Sequence, residues 1–301
     1  MNAIISKIDD LTYQRRTIIW YKILYFRALW RNGFKKKVIL FYPMKPHMWH
    51  VIYLICNSLG YVITNDPRAR FDLAMAFEDT TVREKDRTLS DLLKTYTVLN
   101  GHCDDISKAR VNKVFAESFG YGTTIDPRTY WDVYVKKIDT NGLHQAELLD
   151  KPSEPEKGFV YQKLIDSQMD KDSVLDIRTF IFGDSIPFTL YRKHSVHDRF
   201  RDGTIVAWRV DTDKAFTREE QASIIRFCKA FGLDYGELDI LRDNKDGKIY
   251  VVDVNNTPSG PRPGVHMKKE DYELFVAELS AAFEKMAREN IVRNSSHIAA
   301  V

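Results

Sequence analysis

The chain has 301 residues, 44% hydrophobic and 29% charged, with a net charge of +3. That balance excludes a disordered or fibrous chain, and the near-neutral charge gives no sign of a nucleic-acid partner. Cys56, Cys103 and Cys228 are too few and too scattered for a disulfide framework or a zinc site, and each reads as a small buried core residue. No secretory signal or apolar run of membrane-spanning length is visible, so a reduced cytoplasm is expected.

In chain order, residues 1–36 form a first unit, with a helix predicted from about Thr12 to Asn32 and Gly33 as its stop. Its apolar residues, among them Ile19, Ile23, Phe26 and Trp30, are interrupted by Lys22, Arg27 and Arg31. Packing on the body of the protein or on a second subunit through residues 11–34 is the favoured reading. Peripheral contact with the inner face of an anionic membrane is the alternative.

Residues 37–106 read as a small α/β lobe. Strands are predicted at Lys37 to Tyr42, Tyr61 to Thr64 and Phe71 to Phe77, with a helix from Trp49 to Leu59. Strand, helix and strand at this spacing suggest a parallel sheet. Tyr42, Lys45, His47 and Asp79 sit near its carboxyl edge, where such sheets hold ligands.

Residues 107–293 form the largest unit, divisible at 165/166, and residues 294–301 read as a frayed tail. A helix from Ser107 to Phe119 precedes six strands: Asp132 to Lys137, Gln145 to Leu148, Gly158 to Leu164, Val174 to Phe182, Ile186 to Arg192 and Ile205 to Val210. A helix from Thr217 to Phe231 follows, with Thr217 as its N-cap. The strands Gly236 to Leu241 and Lys248 to Val254 then form a hairpin, and a last helix runs from about Lys269 to Asn290.

The hairpin carries the clearest chemistry. Strand alternation puts Asp253 and Asn255 on one face, and the tight turn brings Asp239 beside them. Two carboxylates and an amide oxygen are hard ligands suited to magnesium with nucleotide phosphates. The plain alternative is a solvated strand face.

In order, spacing and hairpin context, Asp239, Asp253 and Asn255 resemble the metal-binding residues of the ATP-grasp superfamily, most closely its D-alanine ligase and ribosomal-protein-S6 glutamate ligase branches. The resemblance runs from about Ser107 to Pro258. It implies an ATP-grasp fold of the α+β class, with two lobes clasping ATP behind a smaller α/β lobe. It implies that Asp239, Asp253 and Asn255 hold two magnesium ions, or manganese in their place. Asn112-Lys113 resembles the segment leading into the ATP lobe, so Lys113 is expected on a phosphate. Val133 to Lys136 resembles the strand of the second phosphate lysine, with Lys136 favoured and Lys137 left open. Gln162, Lys163, Leu164 and Ile165 resemble the adenine hinge, and Asp176 is matched to the ribose hydroxyls. Arg178 and Arg192 are expected on phosphates or an acyl phosphate, because their forks bind such groups bidentately. Arg262 is expected on a substrate carboxylate and Ser259 or the Gly260 amide on the acyl group, with a plain surface loop as the alternative.

The chain departs from the family pattern in three places: Asp253 and Gln162 stand where Glu is usual, and the loop from Ile138 to Gly142 is short. The resemblance implies an ATP-dependent ligase joining a small carboxylate to an amine acceptor. A kinase on the same fold, or a non-catalytic protein docking through its N-terminal helix, are the competing readings.

Overall fold

The computed structural model describes residues 2–143, 145–200, 204–260, 267 and 269–298. Three sheets organise it. The first is built from β1 (Lys37–Pro43), β2 (Tyr61–Thr64), β3 (Leu73–Phe77) and β4 (Val98–Leu99), in the order β2-β1-β3-β4. All its pairings are parallel, and the central strands β1 and β3 are apolar runs buried on both faces. Helix α2 (Val51–Leu59) makes the crossover from β1 to β2 and stops at Gly60, whose φ is +74°. Helix α3 (Arg87–Thr95) and β4 were not predicted. The helix is capped by the Asp86 side chain, which accepts from Leu89 N, and buries only Leu89 and Leu92.

Helix α1 spans Asn2–Arg31, ten residues longer at its start than the sequence pattern suggested. It packs on α2 through Tyr21, Ala28 and Leu29, so one of its faces does rest on the body of the protein. Tyr21 Oη donates to Met48 O at 3.0 Å, and Asn32 Nδ2 to Leu59 O at 3.2 Å. A Cβ at Gly60 would meet Ala28 Cβ and Leu29 N, each at 3.3 Å, so the left-handed stop also lets the two helices approach closely.

The second sheet is antiparallel, in the order β6-β5-β7: β5 (Tyr134–Ile138), β6 (Ala146–Leu149) and β7 (Phe159–Lys163). Helix α4 (Lys108–Phe119) precedes it, capped by Ser107 and stopped at Gly120. The third sheet holds β8 (Ser173–Phe182), β9 (Thr189–Ser195), β10 (Thr204–Val210), β11 (Tyr235–Arg242) and β12 (Ile249–Asn255). Its order is β10-β9-β8-β11-β12, antiparallel throughout. A short helix α5 (Thr212–Ala215) leads into α6 (Arg218–Phe231). Thr217 and Glu220 close a reciprocal capping box at the start of α6. Helix α7 (Lys269–Ile298) continues past the expected end at Asn290, into what read as a frayed tail; residues 299–301 lie outside the described residues.

The third sheet separates two cores. On one face Ile177, Ile181, Leu238 and Ile240 pack with Phe227 and Phe231 of α6 and Phe115 of α4. On the other, Phe180, Phe182 and Tyr235 pack with Phe275 and Phe283 of α7 beneath the parallel sheet. Strand alternation then puts Asp176, Arg178, Glu237 and Asp239 on that second face, one strand-repeat beyond its apolar end.

Asn100 ties the parallel lobe to this sheet. It is fully buried with φ +55°, a conformation Asn tolerates better than most residues. Its Oδ1 accepts from the backbone N–H groups of Asp234 (2.8 Å) and Tyr235 (2.9 Å), and its Nδ2 donates to Tyr235 O at 2.7 Å. Its own N–H donates to Asp234 Oδ2 at 2.7 Å. Asn100→Ala strands buried backbone groups of β11 and is expected to cost roughly 2–4 kcal/mol in urea unfolding.

Candidate functional site

A cavity of about 390 Å³ opens between the second and third sheets. Val135 and Lys137 line it from β5, Leu164 and Ile165 from the hinge after β7, and Trp49, His50 and Asp79 from the parallel lobe. Its floor is the polar end of the third sheet. There Asp176 stands opposite Arg192, Arg178 opposite Asp239, Asp239 opposite Asp253, and Glu237 opposite Asn255. Residues directly opposite in a sheet share a face, so four strands deliver one interlocked ladder of charges.

A bulge completes the arrangement. The register of β11 against β12 slips after Asp239, whose partner is Asp253 while Ile240 pairs with Val251. This extra residue lets Val251 and Val254 both enter the core shared with α6 while Asp253 faces the cavity.

Arg192 grips Asp176 with both arms of its fork, at 2.7 and 2.8 Å, and its Nη2 also reaches Asp239 Oδ2 at 3.1 Å. Arg178 Nε donates to Asp239 Oδ1 at 3.2 Å, and its Nη1 lies 3.2 Å from Glu237 Oε2. His194 Nε2 lies 2.8 Å from Asp176 Oδ2. Burial by itself would raise the Asp239 carboxyl, yet Arg178 and Arg192 together hold it below the usual carboxylate range.

The neighbouring groups are not so well compensated. Burial pushes Glu237 up to about 7 despite Arg178, and both its carboxylate oxygens are buried without a hydrogen bond. Burial also raises Asp253, whose nearest cation is Lys108 Nζ at 3.8 Å. Lys137, facing them from β5, is pushed down to about 8 by burial. A carboxylate held above its ordinary pKa favours an added cation, and a lysine held below its own favours an added anion. The floor therefore suits a divalent cation, and the lid of β5 suits a phosphate.

Among the described residues, no three His, Cys, Asp or Glu side chains cluster as a closed metal-binding set. Asp239, Asp253 and Asn255 supply an open one, and Asn255 Oδ1 is now engaged by the N–H of Thr257 at 2.9 Å. An open set of two carboxylates and an amide fits magnesium, which keeps several non-protein ligands.

Several expected placements change. Lys113 is exposed on α4, outside the cavity, because Val111, Val114 and Phe115 turn the opposite side of that helix into the core. Lys108, on the first turn of the same helix, lines the cavity instead. The helical phase of Val111, Val114 and Phe115 carried that signal. Lys136 points away, held by Glu147 (3.1 Å) and Glu156 and lying 4.5 Å from the Phe159 ring centre, so Lys137 is the β5 lysine that faces the cavity. Gln162 is buried and donates to Asn112 Oδ1 and Thr123 Oγ1, which ties β7 to α4. The Lys163 ammonium donates to Tyr250 Oη at 2.6 Å, at the β11–β12 hairpin.

Of the weaker candidates, Asp79 lines the cavity and accepts from Thr257 Oγ1 at 3.3 Å. Lys45 and His47 are exposed, and Tyr42 packs against the parallel sheet. Ser259 lines the cavity, and Arg262 lies outside the described residues. Glu237, His194, Trp49 and His50 belong to the cavity but carried no sequence motif.

No protein-family model matches the chain, and no curated protein matches it in sequence. Solved structures do match. D-alanine–D-alanine ligase from Bacillus anthracis aligns over 86% of this chain and 97% of its own, with TM-score 0.51 and 14% identity. The same enzyme complexed with ATP gives TM-score 0.50 at 15% identity, covering 86% of this chain and 97% of its own. The ATP-grasp ligase PsnB, complexed with a minimal precursor, aligns over 84% of this chain and 99% of its own, with TM-score 0.53 and 13% identity. The chain has the ATP-grasp fold.

Arg192 is 8% exposed and neutralises two half-buried carboxylates. Arg192→Met leaves Asp176 and part of the Asp239 charge uncompensated, and is expected to cost about 3 kcal/mol in urea unfolding at neutral pH.

Proposed function

We propose that the chain is a magnesium-dependent ATP-consuming ligase that joins a carboxylate to an amine. The observation that carries this reading is the placement of Asp239, Asp253 and Asn255 on one sheet face, opposite Lys137 and beside Lys108, in the cavity of an ATP-grasp fold.

Leu164 and Ile165 form the apolar wall for the adenine, and the backbone of this hinge reads its edge. Asp239, Asp253 and Asn255 would hold magnesium, which when bound would neutralise charge on the phosphates. Lys108 and Lys137 hold the triphosphate from the two sides of the cavity, and Arg178 and Arg192 present guanidinium groups to the transferring phosphoryl group. A substrate carboxylate oxygen attacks the γ-phosphorus and ADP leaves, giving an acyl phosphate. The amine nitrogen then attacks the acyl carbon, phosphate leaves, and the nitrogen loses a proton. No protein nucleophile is needed, so positioning and charge balance are the whole task of the site. Arg262 is assigned to the substrate carboxylate, as its sequence position suggests.

Asp253→Asn separates this role from a structural one. Because burial disfavours its ionised form, the substitution is expected to leave the melting temperature unchanged or higher while lowering magnesium-ATP turnover at least about a hundredfold. Turnover is read as phosphate release across amino acids, peptides and sugar acids, with hydroxylamine trapping any acyl phosphate. A stable phosphorylated product formed without an amine would instead mark a kinase.

Lys137 supplies a pH dependence. Its pKa is lowered to about 8, so it loses its proton as pH rises through that value, whereas bound phosphate stabilises the charged form. Magnesium-ATP affinity is expected to fall between about pH 7.5 and 9, with proton uptake on binding, while Lys137→Arg keeps its affinity over that range. Calorimetry in buffers of different ionisation enthalpy measures both effects.

A further inference from the structure

Helix α1 buries only part of its surface. Tyr21, Ala28 and Leu29 rest on the body of the protein, whereas Ile19 (59%), Ile23 (44%), Phe26 (63%) and Trp30 (73%) are exposed. At 100° per residue these four lie within about 60° of arc, roughly opposite Tyr21 and Ala28, in a stripe about 16 Å long. The same geometry puts Lys22 on one flank of the stripe and Arg27 and Arg31 on the other. Phe34, at the end of the helix, is 64% exposed, and Lys35 and Lys36 follow it.

The charge of this region is one-sided. From residue 11 to residue 65 the chain holds no Asp or Glu, but nine Lys and Arg. Lys37 is paired with Glu284 at 2.8 Å. Among the described residues, Lys22, Arg27, Arg31, Lys35 and Lys36 have no acidic side chain within ion-pair distance.

We propose that this face of α1 binds an anionic lipid surface, lying in the plane of the headgroups. Phe26, Trp30 and the two isoleucines enter the boundary between headgroups and acyl chains. Lys22, Arg27 and Arg31 keep their stems on the apolar side and their charges at the lipid phosphates. No described helix is long and apolar enough to cross a membrane, so the contact is peripheral. The 4-3-4 spacing of the stripe would also suit a helix–helix seam, but a second copy brings the same cations to the same flanks with no acid in the segment to pair with them. Charge complementarity therefore selects lipid over self-association.

The test is co-sedimentation of the full chain with phosphatidylcholine vesicles, with and without phosphatidylserine, at low and high salt. Binding is expected only with the anionic lipid and is expected to weaken at least about tenfold in high salt. Phe26→Ser/Trp30→Ser and Lys22→Glu/Arg27→Glu/Arg31→Glu each alter only exposed side chains. Each is expected to lose at least about tenfold in partitioning with the melting temperature retained. Equal partitioning to neutral vesicles, or none to either, overturns the proposal. So does a dimer in sedimentation velocity that Phe26→Ser/Trp30→Ser converts to monomer.

Discussion

Asp239 is held between Arg178 and Arg192, and the rest of the site is arranged around that grip. A carboxylate largely withdrawn from water is tolerable only when its charge is met, and here two guanidinium groups from adjoining strands meet it. Each arginine is shared in turn, Arg192 with Asp176 and Arg178 with Glu237. The ladder thus locks three strands into one register, because a slip of one residue would turn every charged group toward the α6 core.

The compensation is incomplete at the edges of the ladder, and that is where chemistry becomes available. Asp253 and Lys137 face each other across the cavity with burial opposing both charges. A metal–phosphate ligand would relieve both at once, since it would present positive charge to the carboxylate and negative charge to the lysine. The cavity is in this sense complementary to a charged pair rather than to a neutral molecule. The same sheet face becomes apolar toward Phe180, Phe182 and Tyr235, where α7 and the parallel lobe cover it. One surface therefore anchors the N-terminal lobe at one end and carries the charged ladder at the other, with Asn100 bonding across the junction.

Much of the fold was legible in local pattern. The Thr217 cap, the stops at Gly60 and Gly120, and the apolar runs of β1 and β8 depend on neighbours within a few residues. Helix α3 was missed: it is only nine residues long and buries only Leu89 and Leu92. The grouping of Asp239, Asp253 and Asn255 on one sheet face was readable because the hairpin brings them together within one short stretch of chain. The lysines that line the cavity were not: Lys113 matched by motif but is turned outward by the phase of α4, and Lys136 is turned to Glu147 and Glu156 while Lys137 takes the cavity side.

The sequence by itself determined most of the longer elements, the Thr217 cap, the hairpin that sets Asp239 beside Asp253, and the basic aromatic character of α1. These follow from short-range periodicity and turn chemistry, which act along the chain. Only the tertiary structure decided that Arg178 and Arg192 converge on Asp239, that Lys108 and Lys137 face the same cavity, and that α1 leaves one apolar stripe uncovered. Those outcomes depend on which strands neighbour one another and which helix face is packed. They are set by burial and charge compensation between residues tens of positions apart, where no local pattern reaches.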